Sequence, residues 1–193
     1  MANTDRAVGL KVAGPLLGAT WYSVSSAYAT VVFIGDPVVA TGTSNLVNVA
    51  TAGSTNAILG AVIGVYDTNK TPGCVDSVGN RVPYRPASTT AYVLVADCPQ
   101  QLFIAQGDGD TSYFDVNDCG GNVPMVAGSG VTMTGVSGWE LDDSATAGST
   151  AAEQIRLVRP VDRVDNTVGS ANCDWYCFIN NHQKLQGIVG AGV

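Results

Sequence analysis

Between Lys11 and Asp67 the chain carries one formal charge, Asp36, across fifty-five residues. A surface helix needs a charged face opposite its apolar stripe, and this stretch has none to offer. Gly14, Pro15, Gly18, Gly35 and Pro37 also punctuate it, and each breaks or weakens helix. No run of 18 apolar residues occurs, so it does not read as a bilayer-spanning segment either. What remains is short extended structure, part of it core and part of it covered by another protein.

The rest of the composition agrees. The chain is 46% hydrophobic with 23 glycines, and its aliphatic residues are mainly Val and Ala. β-branched side chains suit a pleated surface and glycine supplies turns. Strand-like runs recur at Tyr28–Ile34, Pro37–Ala40, Ile58–Tyr66, Thr90–Ala96, Gln101–Gln106, Trp139–Leu141, Gln154–Val161 and Trp175–Ile179, with weaker ones at Val123–Val126 and Val131–Thr134. Thr90–Ala96 alternates cleanly, Gln154–Val161 sets Arg156 and Arg159 as a half-exposed strand would, and Gly60 and Gly64 mark a bulge or close approach. Ser144–Glu153 has room for one short helix. The expected fold is all-β: a single β-barrel or sandwich-like domain.

Three regions follow. Residues 1–27 read as an extended N-terminal arm, because Gly9, Gly14, Pro15 and Gly18 forbid a stable helix; twenty extended residues reach about 65 Å. Residues 28–184 form the β-rich core, with a long loop at 67–86. Residues 185–193 are a neutral, glycine-rich tail suited to touching a partner. The opening MANTDRAVGLKV lacks a basic region followed by an apolar one, so no secretory signal is expected and synthesis in the cytoplasm follows.

Charge narrows the partners. The net charge is −7, and it resides in the middle third: Asp97 to Asp143 holds eight acids and no base. Nucleic-acid binding needs clustered Lys and Arg, and no such cluster exists in sequence, so no nucleic acid and no membrane is expected as a partner.

Chemistry is sparse. The single histidine, His182, follows Asn180 and Asn181 at the end of an apolar strand, where a turn role suits it better than catalysis. Cys173 and Cys177 on one strand would stand about 13 Å apart, too far for a disulfide, and with His182 they lack a fourth zinc ligand. Asp108 and Asp110, in the run GDGDTS, resemble half of a calcium loop, but its sixth-position glycine and terminal Glu are missing; no metal or other cofactor is assigned. The residues suggest no enzyme. A calcium-assisted carbohydrate-binding β-sandwich is the alternative reading.

The blocks Met1–Arg6 with Gly9-Leu10-Lys11, Gly35-Asp36-Pro37-Val38, Ile58–Val65, Tyr84-Arg85-Pro86-Ala87, Tyr92–Asp97 and Phe178–Gln183 together resemble head decoration, or cement, proteins of tailed bacteriophages. The resemblance implies a β-rich, non-enzymatic virion protein, trimeric or dimeric. It would bind the outer surface of the assembled capsid, bridge major capsid subunits and lay its arm along them. On that expectation the capsid-binding residues are Arg6, Leu10, Lys11, Leu16, Leu17, Trp21 and Tyr22. The cysteines and the 67–86 loop depart from the family pattern.

Overall fold

The computed structural model describes residues 3–53, 55–110, 112–144, 147–148 and 150–185. Alternation in the sequence becomes strand in two antiparallel five-stranded sheets. In chain order the strands are β1 (Lys11–Val12), β2 (Thr20–Val24), β3 (Pro37–Ala40), β4 (Val47–Val49), β5 (Gly60–Tyr66), β6 (Cys74–Val75) and β7 (Arg81–Val82). They continue with β8 (Ala91–Ala96), β9 (Phe103–Gln106), β10 (Asn122–Val123), β11 (Met125–Val126), β12 (Glu140–Leu141), β13 (Ile155–Pro160) and β14 (Asp174–Ile179). The first sheet runs β1-β9-β14-β13-β10 and the second β2-β8-β5-β3-β4, with small hairpins β6-β7 and β11-β12 beside them. Among the described residues no helix is long and apolar enough to cross a membrane, and those between 144 and 153 form bends, a turn and a bridge from Gly148 to Asn122 rather than the expected helix.

The second sheet curls on itself. A bridge joins Ser23 of β2 to Leu46, just before β4, and the Ser23 N–H donates to Asn45 O at 2.8 Å. The curl encloses a valine core of Val24, Val38, Val47, Val62, Val65, Val93 and Val95. A larger core holds Trp175, Phe103, Phe114, Trp139, Ile155 and Leu157 from the first sheet and its loops, together with Ala61 and Ala96 of the second. The sheets therefore pack as a sandwich-like domain with a barrel-like half. The irregularity expected at the β5 glycines takes both forms. The register shifts between Val62 and Gly64, and a Cβ on Gly60 would stand 2.3 Å from Ala96 O.

Tyr28–Ile34 is not the continuous strand its sequence suggests; only Val32 and Ile34 form bridges. The cause is Arg85, fully buried. Its guanidinium takes the carbonyls of Thr30 (2.5 Å), Ser25 (2.7 Å) and Thr89 (2.7 Å) and lies 5.7 Å from the Tyr28 ring. Of these only the Thr30 carbonyl lies within the segment, and it faces Arg85 rather than a strand neighbour. The 67–86 loop is likewise more ordered than a bare loop, since it contains the β6-β7 hairpin.

The opening segment is not a free arm in its described part. Asn3 exchanges hydrogen bonds with Thr167, and the Arg6 N–H donates to Gln106 Oε1 at 2.8 Å. β1 then fills the edge of the first sheet beside β9, and β2 fills the edge of the second beside β8. Two open sheet edges need backbone partners, and this segment supplies them. Between them the chain crosses Gly35 so closely that the Leu10 N–H donates to Gly35 O at 2.9 Å. Gly9 has φ +65°, and a Cβ there would sit 2.2 Å from that oxygen. The tail residues 186–193 lie outside the described residues.

Gly9→Ala combines left-handed strain with a backbone clash and is expected to cost about 3 kcal/mol or more. Gly14 has φ +70° with nothing within 4 Å, so Gly14→Ala should cost only about 1–2 kcal/mol; urea denaturation of the two variants measures the difference.

Candidate docking face

Alternation along the first sheet sends Phe103, Ala105, Ile155, Leu157, Trp175, Cys177 and Ile179 into the core. The opposite side of the same strands carries Ile104, Tyr176, Phe178, Arg156, Arg159 and Lys11, half-buried or exposed. Strand pairing sets them in rows. Lys11 stands opposite Ile104, Ile104 opposite Tyr176, and Tyr176 opposite Arg159. In the neighbouring row Phe178 stands opposite Arg156, and Leu102, half-buried, precedes β9. A bulge between Leu157 and Arg159 brings Arg159 rather than Val158 into the row, the kind of re-aiming that bulges perform. The Arg159 guanidinium lies over the Tyr176 ring, 4.6 Å from its centroid, a cation–π contact that ties it to the face. The result is an aromatic and aliphatic centre with a basic rim.

One end of this face is locked by ion pairs. Arg163 reaches the mostly buried Asp174 at 2.7 Å and also pairs with Asp165. Arg6 stands 3.4 Å from Asp165 and 3.7 Å from Asp174. The Arg163 hydrogen bond holds the exposed Asp165 carboxyl below its ordinary range. Arg6, Val8, Lys11, Ile104, Arg163 and Asp174 line a groove of about 200 Å³. Lys11, Arg156 and Arg159 make no ion pair within 4.0 Å among the described residues. Of the nine Lys and Arg residues, five therefore gather around one sheet face, and three of those are unneutralised.

At the Leu102 end a loop presents the most exposed apolar pair of the opening segment. Leu16 is 48% and Leu17 53% exposed. The loop is fixed from beneath by Gln101, only 1% exposed. Its Oε1 accepts the Leu17 N–H at 2.8 Å, and its Nε2 donates to Leu102 O at 3.0 Å and Pro15 O at 3.3 Å. A buried amide with all these contacts made costs nothing in lost hydrogen bonds and orders the loop.

The seven residues expected to contact a partner thus separate. Lys11, Leu16 and Leu17 are exposed at or beside the face, and Arg6 is held at its ion-paired end. Leu10 is core, pulled in where the chain crosses Gly35. Tyr22 is buried, its hydroxyl donating to Asp97 Oδ2 at 2.8 Å; burial and that carboxylate push it up to about 12. Burial works against the Asp97 charge, yet Lys184 at 2.6 Å and Tyr22 outweigh it and keep its pKa below the ordinary value. Trp21 belongs to another patch. It meets Tyr66 edge-on at 4.7 Å, and the Lys70 ammonium covers both Trp21 (5.0 Å) and Tyr92 (5.4 Å). The sequence missed Leu102, Ile104, Tyr176 and Phe178 as a set, and read Arg156 and Arg159 only as strand residues. Asp108 and Asp110 gather with Asp143 beyond the end of β9.

The cysteines are free thiols. Burial pushes Cys177 up to about 12, and Cys74 and Cys173 to about 11, far from the thiolate form a nucleophile needs. Compared with known proteins, the chain matches no family model and no curated sequence.

His182 is fully buried, its Nδ1 accepting the Lys184 N–H at 3.1 Å and its Nε2 without a hydrogen-bond partner among the described residues. Burial and Lys184 push it down from 6.5 to about 4, against the pull of Asp97. The unfolded chain therefore binds this proton first, so the neutral ring's contribution is intact above the unfolded value and is lost as pH falls from about 6.5 to about 4. His182→Asn keeps an acceptor near Nδ1 and removes the titration; its Tm is expected to fall less than that of the wild type across this window.

Proposed function

We propose that this protein is a non-enzymatic structural component of a virion. It binds the outer surface of an assembled capsid through the outer face of the first sheet and the Leu16–Leu17 loop. The observation that carries the docking role is that face: Ile104, Tyr176 and Phe178 ringed by Lys11, Arg156 and Arg159. Interfaces concentrate their binding energy in aromatic and arginine residues at a desolvated centre. In a chain of net charge −7, a face with three unpaired bases favours an acidic partner surface and sets the orientation of approach. The capsid as that partner rests on the resemblance to phage decoration proteins.

Bridging follows from multiplicity. A protein that self-associates as a trimer or dimer engages several major capsid subunits at once, and each contact gains from the effective concentration set by the others. Binding the assembled shell but not its free subunits shifts the assembly equilibrium toward the shell. The acidic segment from Asp97 to Asp143 would face solvent and keep decorated particles apart. The alternative, carbohydrate recognition, has an aromatic surface at Trp21, Tyr66 and Tyr92, where Lys70 lies over the Trp21 and Tyr92 rings.

The test is co-sedimentation with empty shells assembled from the cognate major capsid protein. Truncating residues 1–20 would remove β1 and unfold the sheet edge, so point variants are the better probe. The wild type is expected to saturate at a fixed stoichiometry, with affinity falling as salt rises. The double variant Arg156→Glu/Arg159→Glu should lose at least about 10-fold in affinity, while its stability changes by less than about 1 kcal/mol. Wild-type binding by that variant would refute the face.

A further inference from the structure

We propose that Asp108, Asp110 and Asp143 form a binding site for a hard divalent cation of the calcium class. The site is assembled by β12. Gly107, following β9, bridges to Leu141, and the Asp108 N–H donates to Leu141 O at 3.0 Å. This places the residues after Leu141 against the turn at Asp108–Asp110. The Asp143 N–H donates to Asp108 Oδ1 at 3.1 Å, and the Gly109 N–H donates to Asp143 Oδ2 at 2.9 Å. One carboxylate oxygen from each of the three residues then lies within 4.8 Å of the others. Calcium binds oxygen at about 2.3–2.6 Å, so ligands on opposite sides of the ion stand about 4.6–5.2 Å apart. The cluster fits within that span.

A second observation points to a ligand. Asp143 is only 4% exposed, and its Oδ1 is buried without a hydrogen-bond partner among the described residues. A buried carboxylate oxygen left bare is costly, and Asp108 and Asp143 have no basic partner within 4.0 Å among the described residues. Glu140, nearby, feels the same field: burial, Asp5 and Asp108 push it up to about 7. Carboxyl groups gathered this closely repel one another when ionised, and a divalent cation between them would relieve that repulsion. The donors are all oxygen, which selects hard cations over zinc or copper. Gly107 leaves room, since a Cβ there would stand 2.9 Å from Asp143 Oδ2. The missing EF-hand glycine and glutamate are no obstacle, because the third carboxylate comes from beyond β12 rather than from the loop itself.

The experiment is thermal denaturation and isothermal calorimetry of the full chain, stripped with chelator and titrated with calcium chloride, with magnesium chloride as comparison. Above the dissociation constant the Tm should climb by about 3–5 °C for each tenfold rise in calcium. Asp110→Asn, at an exposed position, should fold normally and weaken binding, and Asp143→Asn should abolish the response. A wild-type Tm that ignores millimolar calcium would overturn the site. So would a calcium response retained in Asp143→Asn, or stabilisation of that variant at alkaline pH without any calcium binding by the wild type, which would mean that Asp143 shares a proton with Asp108 instead. None of these outcomes depends on capsid binding.

Discussion

The close crossing of Gly9 over Gly35 is the contact on which the arrangement turns. Only glycine at both places lets the backbones meet at hydrogen-bond distance. From that crossing the chain leaves in two directions: back through Arg6 to the ion pairs at Asp165 and Asp174, and forward into β1 and β2. One continuous segment thereby closes an edge in each sheet. Its position fixes Lys11 on the outer face and suspends Pro15–Leu17 between the sheets over Gln101. The residues nominated for contact are thus held by the domain's own edges rather than by a flexible arm.

This rigidity suits the proposed docking role. Tyr176 and Phe178 stand on the central strand of the first sheet, between β9 and β13, so binding orders little that is not already ordered. Preorganised contacts keep more of their gross energy as affinity. Charge is segregated as well as shape: unpaired bases on the sheet face, and acids in the turns after β9 and β12. A chain acidic overall can in this way present a basic surface in one direction only.

How much of this was legible in the sequence depended on the range of the interaction. Thr90–Ala96 and Gln154–Val161 announced themselves because alternation is local and each strand has one core face. Gly60 and Gly64 were readable because glycine inside an apolar strand marks a bulge or a close backbone approach. Tyr28–Ile34 misled because Arg85, over fifty residues away in the chain, takes the Thr30 carbonyl from its middle. β1 is two residues long and has no alternation to detect, so the opening segment looked like an arm. The exposure of Lys11, Leu16 and Leu17 was readable from a charge and a Gly-Pro loop, whereas Leu10 and Tyr22 were drawn inside by partners distant in sequence. The face itself needed the pairing of β1, β9, β14 and β13, since its bases lie at opposite ends of the chain. The third carboxylate of the aspartate cluster was hidden for the same reason: Asp143 meets Asp108 only through β12.

The central claim is that the outer face of the first sheet is the surface that binds. Hydroxyl-radical footprinting of the protein, free and bound to shells, reads that surface side chain by side chain. Protection is predicted at Tyr176, Phe178, Ile104, Leu16 and Leu17, with Trp21 and Tyr92 reacting equally in both states. Protection of Trp21 and Tyr92 with Tyr176 and Phe178 unchanged would contradict the account.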